Sequence, residues 1–342
     1  MQLYKSRLKV NHRNIYQMRL VVIGIISIGM FGCNRCDDSK AIAATESTAP
    51  PELIGQLPGY NLSKPDHIAR LPKKLKEASD VTAINQNAVA MVQDEKGLIF
   101  LYDLQKDDVI RKVKFGPKGD YEGLAEVGDF MYVMESSGIL YKIANWQQNT
   151  GHKSNAEDSA ESQRLNIPTK NNEGLCYDPF GKTLLIAPKS RWKKKDGGGK
   201  HKRPVFAVNL ESEKMTSEPV FELNTEDILN FAQTHHLTIP GKISKKGKFK
   251  EKLQFMPAAV AVHPKTGEIY ISSAEDRVIV SFDRQSHLTG FSMLDPKLFL
   301  QPEGLTFLPD GTLVVVNESP KKKPGILLFN WHPNGGASMS KP

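Results

Sequence analysis

Cysteine is scarce: the chain has 3 in 342 residues, at 33, 36 and 176, too few for a disulfide framework. Cys36 falls in a tether and Cys176 in an apolar strand, so they read as one stray and one buried thiol. No cluster of histidine and cysteine stands at zinc spacing, and an adjacent pair such as His235-His236 seldom turns toward one ion. His263, before Pro264, reads as a turn residue. A Gly-x-Ser-x-Gly nucleophile elbow is missing, and Gly197-Gly198-Gly199-Lys200 lacks both the P-loop spacing and its strand-to-helix setting. Helical periodicity is nearly absent too, and its best instance is Thr225 to Thr234. Longest among the apolar runs is Leu20–Gly32, well short of the ~20 residues a spanning helix needs. These absences leave a β-rich chain of ordinary composition, 39% hydrophobic and 25% charged.

That apolar run follows Lys5, Arg7, Lys9, Arg13 and Arg19 with no acid among residues 1–32, the pattern of a secretory signal. It ends Gly29-Met30-Phe31-Gly32-Cys33, which resembles a bacterial lipobox, so Cys33 is the expected lipidated residue; an ordinary signal with a coincidental cysteine is the alternative. Several acyl chains on one residue hold more firmly than a single chain. Asn34 supplies no strong inner-membrane retention signal, and Asp37-Asp38 favours the outer membrane. The expected domains are a signal peptide over 1–32, a flexible tether rich in Ala, Thr, Ser and Pro over 33–60, and a folded domain over 61–335. Removing the signal takes 5 positive charges from the net +8 and leaves about +3, which with export argues against a nucleic-acid partner. A membrane-anchored monomer is expected.

The folded part repeats at a period of about 45 residues, the range of propeller blades. Three copies are plain: Tyr121-Glu122-Gly123-Leu124, Asn172-Glu173-Gly174-Leu175 and Pro302-Glu303-Gly304-Leu305. Weaker ones are Lys76-Glu77-Ala78-Ser79-Asp80-Val81 and Met256-Pro257-Ala258-Ala259-Val260. Turns and β-branched runs follow each, as in Pro264-Lys265-Thr266-Gly267 before Ile269 to Ser273. The reading is all-β, a propeller of four-stranded antiparallel blades, with five recognisable and room for a sixth in the long interval from 171 to 255. Within it, Lys189 to Pro204 and Pro240 to Lys252 are Lys- and Gly-rich: solvated loops, or a basic patch facing lipid headgroups or an anionic ligand.

The first strand of each blade lines the channel, which puts Glu77, Glu122, Glu173 and Glu303 around the axis at one level. Asp94, Glu95, Glu135, Glu275, Asp276 and Glu318, at the ends of second strands, are expected on the same face. Converging carboxylates call for a counter-charge, and oxygen ligands without histidine or cysteine suit calcium. Three roles stay open: an axial calcium site on some of Glu77, Glu122, Glu173 and Glu303, inter-blade stitching through backbone N–H groups, and acid–base catalysis.

The order Leu71-Pro72-Lys73-Lys74-Leu75-Lys76-Glu77-Ala78-Ser79, Val92-Gln93-Asp94-Glu95-Lys96-Gly97, Asn172 to Leu175, Val262-His263-Pro264-Lys265-Thr266-Gly267 and Pro302 to Leu305 resembles the SdiA-regulated family of bacterial propellers, itself similar in pattern to NHL-repeat proteins. Asp80 stands where that family has glycine, and Ala258-Ala259 replaces its acid and glycine. The resemblance implies a propeller exported to the cell envelope and names no reaction. The expected function is an envelope lipoprotein binding a ligand or protein on its acidic face. The alternative is a calcium-dependent hydrolase of lactonase, phosphatase or esterase type, with Glu135 or Glu318 as base and Asn172 and Asn317 beside the ion.

Overall fold

The computed structural model describes residues 55–148, 153–157, 160–192, 198–244, 247–319 and 324–333. Ala49–Pro342 forms one compact unit. The expected signal segment, Cys33 and most of the expected tether lie outside the described residues.

Two short strands come first, β1 (Gly55–Gln56) and β2 (His67–Arg70). Blade 1 is β3 (Ala78–Asn85), β4 (Ala88–Gln93), β5 (Lys96–Asp103) and β6 (Asp108–Lys114). Blade 2 holds β7 (Tyr121–Val127), β8 (Phe130–Glu135) and β9 (Ile139–Ala144). After them β10 (Lys153–Asn155) turns back to pair with β6, and β11 (Ala160–Arg164) completes the blade on β9. Blade 3 is β12 (Asn172–Asp178), β13 (Thr183–Pro188), β14 (Lys202–Asn209) and β15 (Lys214–Met215), with β16 (Phe221–Asn224) pairing the first half of β14.

Then come α1 (Thr225–Thr234) and a hairpin of β17 (Gly241–Ile243) and β18 (Phe249–Glu251). Blade 4 is β19 (Ala259–Val262), β20 (Ile269–Ser273), β21 (Val278–Phe282) and β22 (Leu288–Met293). Blade 5 is β23 (Pro302–Phe307), β24 (Leu313–Asn317) and β25 (Gly325–Phe329), and β2 supplies its outer strand.

The architecture is therefore a five-bladed β-propeller, closed by a strand from ahead of the first blade. The long interval after residue 171 holds no sixth blade among the described residues; β16, α1 and the hairpin fill it. Asn224 caps α1 by accepting a hydrogen bond from the Glu226 N–H, and Ile228 and Ala232 bury its apolar side. Residues 55–60, assigned to the tether from sequence, belong to the fold. β1 pairs with β22, and Leu57 and Tyr60 enter the core beside Tyr270 and Phe307.

His263 is the turn residue its sequence suggests, and more. Its Nδ1 accepts from the Lys265 and Thr266 N–H groups, and its ring is enclosed by Tyr60, Phe307 and Trp331. Burial pushes its pKa down to about 4, so it is a neutral acceptor at any ordinary pH.

The inner strands β3, β7, β12, β19 and β23 pack side by side around the axis, and glycine is what lets them. A Cβ at Gly174 would lie 2.9 Å from the Val260 nitrogen, and one at Gly304 would lie 3.1 Å from the Val81 nitrogen. Blade 1 carries Asp80 in the corresponding slot. Its carboxylate accepts from the Val81 and Leu124 N–H groups at 2.8 Å and from Leu305 N–H, joining blades 5, 1 and 2. Gly174→Val should therefore force β12 and β19 apart and cost about 2 kcal/mol or more. An unchanged urea midpoint for this variant would show that the axis has slack.

Candidate functional site

In four blades the register of the first hairpin slips by one residue near the start of the inner strand. The skipped positions are Ser79, Glu122, Glu173 and Glu303, each a bulge facing the paired second strand. A bulge re-aims a side chain, and here three of the four are carboxylates at one end of the channel. Blade 4 has Ala258 in the same place, its N–H donating to the Ser272 carbonyl at 2.9 Å.

This register corrects the sequence alignment at one point. Glu77 does not share the level of the other three glutamates; Ser79 does. The carbonyl of Glu77 accepts from Asp94 N–H as those of Asp120, Asn171 and Gln301 accept from Ser136, Lys189 and Glu318, two residues before each bulge. Glu77 bonds to Lys76 and Gln93, and the Lys76 hydrogen bond leads in holding its pKa below the ordinary range. Ser79 is a stitch, donating to the Tyr121 carbonyl at 2.6 Å.

The second-strand ends come to the same face. Asp94, Lys189 and Glu318 are equivalent, each just past the residue that closes its hairpin. Lys189 is the residue that sequence reasoning missed. Its Nζ lies 2.9 Å from Glu173 Oε2. Burial lowers its pKa, but Glu173, Glu303 and Glu122 together raise it further, so it stays an ammonium among three glutamates.

One cation does not neutralise the mouth. Burial first, then Glu173, pushes Glu122 up to about 9, and no hydrogen bond reaches its side chain from the described residues. Glu173 rises to about 7, its burial outweighing Lys189, and burial likewise raises Glu303. Glu318 reaches about 7 through burial and then Glu303, and Asp94 about 6 through burial and then Glu77. Gln301 donates to Glu318 at 3.0 Å.

Three neighbouring acceptor oxygens, Gln93 Oε1, Asp94 Oδ1 and Asn317 Oδ1, are buried with no partner. Gln93 and Asn317 occupy the same position of blades 1 and 5. The mouth thus has more acceptors than donors.

The remaining predicted acids do other work. Asp276 accepts from the Gln254 and Phe255 N–H groups and from Ser273 Oγ, pinning the insertion where it rejoins blade 4. Glu135 accepts from Ser137 Oγ, while Glu95 and Glu275 are exposed. Asn172 is spent on Thr169 Oγ1 and the Ser136 carbonyl. Among the described residues no three His, Cys, Asp or Glu side chains are grouped as metal ligands.

No family model matches the chain, and no curated protein matches its sequence. Similar folds occur among solved structures. Myxococcus xanthus glutaminyl cyclase is 12% identical, covering 78% of this chain and 95% of its own with a TM-score of 0.47. Streptogramin B lyase is 12% identical over 77% of this chain and 98% of its own, TM-score 0.40. The β-propeller domain of Myceliophteria thermophila Cps50 is 8% identical over 78% of this chain and 100% of its own, TM-score 0.42. None of these likenesses bears on activity.

The raised glutamates make stability fall with pH. In the folded ring Glu122 and Glu173 keep protons that the unfolded chain releases near pH 4.3, so folding binds protons and loses support as pH climbs through about 7 and about 9. The melting temperature should drop between pH 5.5 and 9. Glu122→Gln, neutral throughout, should flatten the drop and melt about 3 °C or more higher at pH 9; an unaltered slope would mean that Glu122 is ionised and paired.

Proposed function

We propose that this chain is a cell-envelope lipoprotein, anchored through Cys33 and held more naturally at the outer than the inner membrane, whose propeller mouth binds a ligand bearing an organic cation. The observation that carries the reading is the surplus of buried acceptors. Glu122 lacks a partner, and Gln93, Asp94 and Asn317 each keep an unpartnered oxygen at the same end of the channel. An ammonium or guanidinium group brings positive charge and several N–H donors together. Lys189 is an intramolecular precedent: the mouth already accommodates one ammonium against Glu173. On binding, a cation would take over from the protons on the raised carboxylates. The motif order shared with the SdiA-regulated family supports export and a propeller binding face. A monomer suits that role, since the ring closes on itself.

Calcium is the competing occupant, and with it a hydrolase in which Glu318 or Glu135 would serve as general base. The near-neutral pKa of Glu318, about 7, favours it. Lys189, set among these glutamates, and the lack, among the described residues, of three acid side chains close enough to hold one ion count against it.

Thermal shift and titration calorimetry with putrescine, arginine methyl ester and calcium chloride separate the two, because a ligand of the native state raises the midpoint by mass action. The expected outcome is a shift with the amines, weakened at least tenfold by Glu122→Gln. A shift with calcium alone, reversed by chelator and joined by hydrolysis of lactone, phosphate-ester or aryl-ester substrates, would transfer the site to the metal enzyme.

A further inference from the structure

The acids of the mouth fall into two groups, and each group has one lysine already spent. Between blades 2 and 3, Lys189 Nζ lies 2.9 Å from Glu173 Oε2. Glu122 stands beside them, facing Glu173 first and then Asp120, and makes no ion pair among the described residues.

The same arrangement recurs between blades 5 and 1. Ser319 N–H donates to the Lys76 carbonyl at 3.0 Å, which brings the end of β24 against the entry to β3. Lys76 is taken by Glu77, and Asp94 and Glu318 are left without an ion pair among the described residues. These two acids and Glu77 lie within one another's field. Glu303 acts on both Glu122 and Glu318 and so stands between the groups.

Behind the second group sit two buried amides. Gln93 and Asn317, 1% and 2% exposed, directly precede Asp94 and Glu318. Gln93 Nε2 donates to Glu77 Oε2 and Asn317 Nδ2 to the Leu298 carbonyl, each at 3.2 Å. Gln93 Oε1 and Asn317 Oδ1 receive nothing, and neither does Asp94 Oδ1. A buried acceptor without a donor is costly. Protonation relieves a carboxylate but does nothing for an amide oxygen, so this end lacks donors as well as positive charge. A single ammonium brought to Glu122 leaves the second group as it was.

Building on the organic-cation reading, we propose that the mouth is made for a dication, a ligand carrying two ammonium or guanidinium groups on one short linker. One is held at Glu122 beside Glu173, the other at Asp94 and Glu318. Joining the two charges makes the second contact intramolecular, so affinity exceeds that for either charge alone and depends on whether the linker spans the gap.

Titration calorimetry on the full chain tests this with butylamine, hexylamine and a series of unbranched diamines from ethylenediamine through putrescine and cadaverine to octamethylenediamine. One chain length should stand out, binding at least about tenfold tighter than butylamine, with weaker binding by shorter diamines. Asp94→Asn with Glu318→Gln should bring that diamine to within about threefold of butylamine, since only one charge then finds a carboxylate. The chain-length series needs no variant and stands even if the double substitution unfolds the protein. Equal binding of butylamine and every diamine would overturn the dication while the organic-cation reading stands. Affinity that rises with chain length alike in monoamines and diamines would overturn it in favour of an apolar contact, and silence from every amine would overturn both readings.

Discussion

Everything at the axis follows from how closely five inner strands must approach. Where blades 2, 3 and 5 face a neighbour there is room for a backbone and no side chain, which is why Gly123, Gly174 and Gly304 recur at this level. The bulge directly before each glycine belongs to the same constraint. The extra residue lets the strand curve into the ring, and its side chain is turned out toward the mouth. Glutamate at that position is thus placed by closure of the ring itself. Blade 1 solves the problem differently, with Asp80 spending its carboxylate on backbone donors from three blades and Ser79 stitching to the Tyr121 carbonyl. One blade staples the ring and three supply glutamates.

That division has an electrostatic cost. Burial removes water from Glu122, Glu173 and Glu303, and proximity sets them against one another. A single ammonium on Lys189 compensates Glu173 and leaves Glu122 without a partner. Aspartate or glutamate kept in such a state weakens the fold, and strain of this kind gathers at functional sites. Asp276 is the useful contrast. It is comparably buried, but its oxygens are filled by the Phe255 and Gln254 N–H groups and Ser273, so its work is finished within the fold.

Glycine made the blades legible in the sequence, because a Glu-Gly-Leu triplet records the close approach directly. Where glycine was replaced, the signal failed. In Glu77-Ala78-Ser79-Asp80 the eye aligns acid with acid, whereas the ladder aligns the bulge, and Glu77 falls two residues short of the ring. Lys189 was hidden for another reason: it opens a lysine-rich stretch that reads as a solvated loop. Its distance past β13 equals that of Glu318 past β24, and blade-to-blade comparison of second-strand ends would have exposed it. The tether boundary was misjudged because β1 has two residues, too few for any periodicity, and pairs with a strand more than 230 residues away.

The mouth and the two ends of the long insertion share one face because blades have four strands. An even number of strands returns the chain to the side on which it entered, so the excursion between β16 and β19 leaves and rejoins at the mouth. The return is fixed there twice over, by Arg203 donating to the Phe255 and Gln254 carbonyls and by Asp276 accepting from their N–H groups. Closure of the ring thus decides not only where the glutamates stand but also that the one long insertion is fastened beside them.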